Sequence, residues 1–262
     1  MSGETVGATA IVTEAGSAIG QGVVRRLNRA GMCLVICGDS ATELAALASD
    51  LGADGRRAVA VVADLADEGQ APRLAEAAIA EFGRIDALVN GLAPHDPGDW
   101  QNLPPGQLAT ATGAGVQRQL QCIRAVVPHM IAGGGGRIVN LVSSLGRYRS
   151  AWFQSDPERA SAVLRAGAES AIVGLTRELA FELAPHRIRV NAVTAGWIRT
   201  PSCEQAWQSL GAREQAFVLE EISLRRLGEP DEVAAVIEFL ASEASRYVTG
   251  TAIDVNGGWW VS

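Results

Sequence analysis

The run Gly136–Gly146, G-R-I-V-N-L-V-S-S-L-G, decides the fold. Its centre, Arg137–Val142, is almost continuously apolar, as a strand covered on both faces requires. Beyond it the chain leads to Asp156-Pro157-Glu158, a capping residue, a first-turn proline and an acid suited to a helix dipole. These open a helix expected to run to about Ala184.

Working outward, the same short apolar signature recurs at Ala8–Thr13, Met32–Cys37, Arg57–Ala63, Ala87–Asn90, Ile188–Val193 and Ala252–Val255. Helical periodicity falls between these runs, at Ile19–Ala30, Thr42–Leu51, Gln70–Phe82, Gln107–Ile131 and Asp231–Leu240. A loop-and-helix excursion, a candidate lid, spans about 200–224. Alternation of this kind predicts an α/β fold with a doubly wound parallel sheet in a three-layer α/β/α arrangement. No repeat, linker or low-complexity tract interrupts it, so residues 1–262 are read as a single domain.

The formal charge of −7 argues against nucleic acid or an anionic membrane surface, both of which attract a basic face. Met1–Gly7 lacks a basic region leading into an apolar core, and no apolar run approaches spanning length. Cys33, Cys37, Cys122 and Cys203 form no metal-ligand spacing and read as reduced thiols, which suits a cytoplasmic protein. All 22 basic residues are arginine; the chain has no lysine.

D-A-L-V-N at Asp86–Asn90, the Gly136–Gly146 run, S-A-I-V-G-L-T-R-E-L-A at Ser170–Ala180, R-I-R-V-N-A-V at Arg187–Val193 and the tail Leu227–Gly258 together resemble the short-chain dehydrogenase/reductase family, across nearly the whole chain. The resemblance implies a Rossmann-like sheet and a small-molecule substrate, and it also implies a homodimer or homotetramer. It further implies a glycine-rich loop after the first strand that lets backbone approach a diphosphate. Here that loop is T-E-A-G-S-A-I-G, Thr13–Gly20, with Glu14 and Ala18 where the family carries glycine. Gly16, Ile19 and Gly20 remain, as do Asp64, Asn90 and Thr200 at positions where relatives hold the dinucleotide. Asp39, ending the second strand, would repel a 2′-phosphate and so favours NAD over NADP. With an acid added and two glycines lost, the expectation from sequence is that no cofactor is bound.

The family mechanism implies a serine, a tyrosine with a lysine four residues on, and an asparagine on the preceding helix. The serine matches Ser143, and the asparagine position is Gly115. Ungapped alignment puts Arg165 at the tyrosine position and Glu169 at the lysine position, a spacing that reads most simply as an ion pair on one helix face; a gap of one helical turn would instead make the pair Ser161 and Arg165, and neither alignment supplies a tyrosine. Tyr148, five residues after Ser143, and His95, beyond the fourth strand, are the candidate acid/base groups beside Ser143. Trp152, Phe153, Trp197 and Trp207, with Arg165 and Glu169, are expected to line a pocket for an apolar or polycyclic metabolite of secondary metabolism.

Three functions follow as expectations. The first is a diverged enzyme doing non-redox cyclisation, dehydration or isomerisation. The second is an NAD(H)-dependent carbonyl reductase using a relocated Tyr148. The third is a catalytically silent partner subunit.

Overall fold

A computed structural model describes residues 6–52, 57–67, 69–91, 100–144 and 156–260. Seven strands, β1 (Thr9–Val12), β2 (Cys33–Gly38), β3 (Ala58–Val62), β4 (Ala87–Asn90), β5 (Gly136–Ser143), β6 (Ile188–Ala195) and β7 (Ala252–Val255), form one parallel sheet. Its order, 3-2-1-4-5-6-7, reverses direction between β1 and β4. Helices α1 (Ala18–Arg29), α2 (Ala41–Gly52), α3 (Ala71–Phe82), α4 (Pro105–Ala132), α5 (Asp156–Leu183) and α8 (Pro230–Leu240) cover the two faces. Two short helices, α6 (Pro201–Ser209) and α7 (Ala212–Glu221), make up the excursion after β6.

The side-chain alternation of the strands sorts the core into two layers. Val12, Leu34, Ile36, Val139 and Val193 face α1, α2 and α8, meeting Val23, Leu27, Leu44 and Ile237. Ile11, Val35, Leu88, Ile138 and Val190 face the other way, against Leu74, Ile123, Met130 and Leu183 of α3, α4 and α5. Burial on both sides explains why these strands read as apolar runs rather than alternating ones.

Two departures from the expected boundaries matter for the site. β5 and β6 run on past Val142 and Val193, and their ladder pairs Ser143 with Ala195. Ser143 is therefore held by the sheet and not by a loop. Helix α4 starts at Pro105, earlier than Gln107, because a proline in the first turn costs no hydrogen bond.

A buried amide relay joins the elements around Ser143. Asn90 Nδ2 donates to Asn140 Oδ1 at 3.0 Å, and Asn140 Nδ2 donates to Thr176 Oγ1 of α5 at 3.0 Å. Gln119 of α4 donates to the Leu141 carbonyl at 3.2 Å. Asn140→Ala takes from the Asn90 amide the shorter of its two acceptors and from the Thr176 hydroxyl its donor, so urea unfolding should show a loss of about 2 kcal/mol. A loss below about 1 kcal/mol would mean the relay is not structural.

Candidate functional site

The reversal of strand order leaves a crevice at the carboxyl ends of β1 and β4, the usual ligand position in such sheets. A cavity of about 750 Å³ occupies it. Its walls come from the β1–α1 loop, the end of β4, the inner face of α4, Ser143, the first half of α5 and the start of α6. Gly16, Ile19, Asn90, Ser143, Arg165, Glu169 and Thr200, singled out in the sequence, all line it, as does Gly115.

The β1–α1 loop keeps the path of a nucleotide-binding turn despite its altered sequence. Glu14 takes φ 53°, the left-handed conformation that glycine adopts without strain. Gly20 cannot be replaced, since a Cβ there would lie 2.1 Å from the Glu14 carbonyl oxygen. Ser17 caps α1, accepting from the Gly20 amide at 3.0 Å and donating to the Glu14 carbonyl at 2.8 Å. The Glu14 carboxyl is half-buried, and that burial raises its pKa; Asp39 and Asp64 push the same way, while Arg118 of α4 opposes them.

At the other end of the cavity the Glu169 carboxyl is buried and accepts the Ser143 amide at 2.9 Å. Desolvation drives its pKa up to about 7, against the lowering effects of the Ser143 amide, the Arg165 charge and the Ser143 hydroxyl. The carboxyl expected to pair with Arg165 thus turns to Ser143, and Arg165 acts on it through its charge. The cause is burial, which the i,i+4 spacing does not reveal.

Other expected residues sit differently. Asn90 spends its side-chain amide on Asn140 and the Gln119 carbonyl, so it meets the cavity from within a structural relay. Asp39 and Asp64 are exposed outside the cavity wall, and Asp64 accepts the Ala66 amide at 2.9 Å. Thr200 caps α6 through the Cys203 amide. Trp197 and Trp207 do not line the cavity: they pack with Val218, Ile222 and Leu227 as the small core of the α6–α7 excursion, where Trp197 meets Trp259 edge-on at 6.2 Å. Their rings join Leu210 and Leu219 in closing that core. Tyr148, His95, Trp152 and Phe153 lie outside the described residues. Arg118, which carried no motif, is the charged cavity residue that the sequence reading missed. Among the described residues no cluster of three metal-ligating side chains occurs, and no helix is long and apolar enough to cross a membrane.

A family profile described as enoyl-(acyl carrier protein) reductase matches residues 14–260. Oxidoreductase UcpA of Escherichia coli is 36% identical over 261 residues, covering 98% of this chain and 95% of UcpA. The chain belongs to the short-chain dehydrogenase/reductase family. Among solved family structures, a 7α-hydroxysteroid dehydrogenase in complex with NADH and 7-oxo glycochenodeoxycholic acid superposes with a TM-score of 0.85 at 27% identity, covering 98% of this chain and 95% of its own. A gluconate 5-dehydrogenase from Burkholderia cenocepacia in complex with NADP and tartrate gives 0.84 at 26% identity, with coverages of 97% and 95%. These relatives overturn the expectation of no cofactor. Its physical basis was the loss of two loop glycines, yet Glu14 holds the glycine conformation and its carboxyl is pushed toward the neutral form. The residues present therefore fit a dinucleotide: α1 opens toward the cavity and the turn before it is intact.

A raised carboxyl pKa sets the sign of one stability effect. The folded state keeps the Glu169 proton between pH 4.5 and about 7 while the unfolded chain releases it, so stability falls as pH rises through that window. The full loss above it is about 3 kcal/mol. Melting curves of wild type and Glu169→Gln should diverge from pH 5 to pH 8, with the variant gaining on wild type. Parallel curves would contradict the buried carboxyl.

Proposed function

We propose that the protein is an NAD(H)-dependent oxidoreductase acting on a carbonyl or alcohol group, with Ser143 and Glu169 handling the proton. The observation that carries this reading is the Ser143–Glu169 contact: a sheet-held hydroxyl beside a carboxyl of pKa about 7, both lining the cavity below the β1–α1 loop. The dehydrogenase relatives favour this second expectation over non-redox chemistry.

The residues suited to the cofactor are the α1 N-terminus with Gly16 and Ile19, and Asp39 at the end of β2, which favours NAD by repelling a 2′-phosphate. A bound nicotinamide supplies or accepts the hydride. The chain's own part is the proton. Ser143 presents its hydroxyl to the substrate oxygen, gives up its proton as that oxygen gains negative charge, and is resupplied by the Glu169 carboxyl. In the reverse direction the Glu169 carboxylate receives the proton. Arg165 keeps both ionisation states within reach near neutrality by opposing the desolvation of Glu169. Glu169 then takes the proton-handling part for which sequence offered Tyr148 or His95.

Carbonyl reduction with NADH should be fastest below about pH 7 and decline above it, and alcohol oxidation should do the reverse. Following nicotinamide absorbance over a panel of carbonyl compounds, Glu169→Gln and Ser143→Ala should each lower turnover roughly 100-fold or more, and Glu169→Gln should erase the pH inflection. Full activity in Glu169→Gln, with loss in Tyr148→Phe, would hand the proton to Tyr148 instead. No nicotinamide-dependent turnover across the panel would contradict the redox reading.

A further inference from the structure

We infer that Arg118 is a binding residue for the diphosphate of the dinucleotide, standing in for the contacts that the altered β1–α1 loop no longer makes. The inference rests on the NAD(H) reading above.

Three observations point the same way. First, the loop has less to offer an anion than an all-glycine turn. Ser17 occupies the Gly20 amide, and Glu14 contributes a carboxyl on the cavity side. A diphosphate entering there needs a cation. Second, Arg118 is placed to provide it. It sits on the face of α4 shared by Gly115, Gln119 and Cys122, all of which line the cavity, and its charge is felt by Glu14 across the cleft. Gly115 carries no side chain, and a Cβ there would meet nothing within 4 Å, so the approach beside Arg118 is open. Third, one donor of Arg118 is left unmatched by the fold. Its Nε is buried and has no hydrogen-bond partner among the described residues. A guanidinium donor taken from water and left unmatched is costly, and a phosphate oxygen is its best partner.

Glu14 fits the same picture as the group that holds the place of the ligand. Burial and the neighbouring acids Asp39 and Asp64 disfavour its charged form. It therefore competes weakly with an incoming diphosphate for the guanidinium.

The test is calorimetric titration of the whole protein with NADH and with ADP-ribose, which keeps the diphosphate and lacks the nicotinamide. Arg118→Met should weaken both ligands by the same factor, roughly 10- to 100-fold, and Arg118→Lys should recover much of the loss. Glu14→Gln, which removes the competing acid, should tighten both. ADP-ribose binding to Arg118→Met as tightly as to wild type would overturn the role of Arg118 and leave the NAD(H) reading standing. If wild type binds neither ligand, both fall together. Should Arg118→Met fail to fold, Arg118→Gln decides: weaker binding of both ligands supports the inference, and unchanged binding overturns it.

Discussion

The hydrogen bond between Asn90 and Asn140 fixes the geometry on which the site depends. The two residues are direct partners in the β4–β5 ladder, so their side chains meet at 3.0 Å inside the sheet's α4–α5 face. Asn140 then reaches Thr176, which sets the rotation and height of α5. From Asn140 to Ser143 the strand advances about 10 Å, and from Thr176 back to Glu169 the helix advances about the same. Two rods pinned at one level thus meet again one level up, and the second meeting is the Glu169–Ser143 contact. Without the lower pin, a small turn of α5 would move the carboxyl off the serine.

The upper contact is chemically different because it lies deeper in apolar surroundings than its charge would choose. Ile172 and Ala168 flank Glu169 on the cavity side of α5, and solvent reaches little of it. Desolvation outweighs the Ser143 amide and the Arg165 charge, and the carboxyl settles near neutrality. Among the described residues the cavity therefore carries two guanidiniums, Arg118 and Arg165, against two carboxyls, Glu14 and Glu169, whose charged forms are disfavoured. Such a balance favours an anionic ligand, which a dinucleotide is.

Much of this was legible in the sequence. Apolar runs alternating with helical periodicity gave the sheet, its parallel sense and most boundaries, because burial on both faces leaves an unmistakable pattern in β1, β2 and β5. Ser143, Arg165 and Glu169 could be placed by counting from the surrounding motifs. Their relations could not. Spacing along α5 suggested that Arg165 and Glu169 pair with each other, whereas burial and the sheet's extra residue bring Glu169 to Ser143. The loop misled for a related reason: glycine loss was read from side chains, while the backbone at Glu14 kept its left-handed turn. Trp197 and Trp207 were drawn to the pocket by their place after β6, but the excursion needed them for its own core. Arg118 belongs to no motif; its only sequence signal was a charge among Gly115, Gln119 and Cys122 at helical spacing.

The central claim, that a proton-carrying carboxyl has been built beside Ser143, is tested most directly by titrating Glu169 itself. Carbon-13 NMR of glutamate-labelled protein, with Glu169→Gln to assign the resonance, should give a midpoint near 7. A midpoint at the ordinary 4.5 would show a solvated carboxylate that holds no proton at neutral pH, and the account of the site would fail with it.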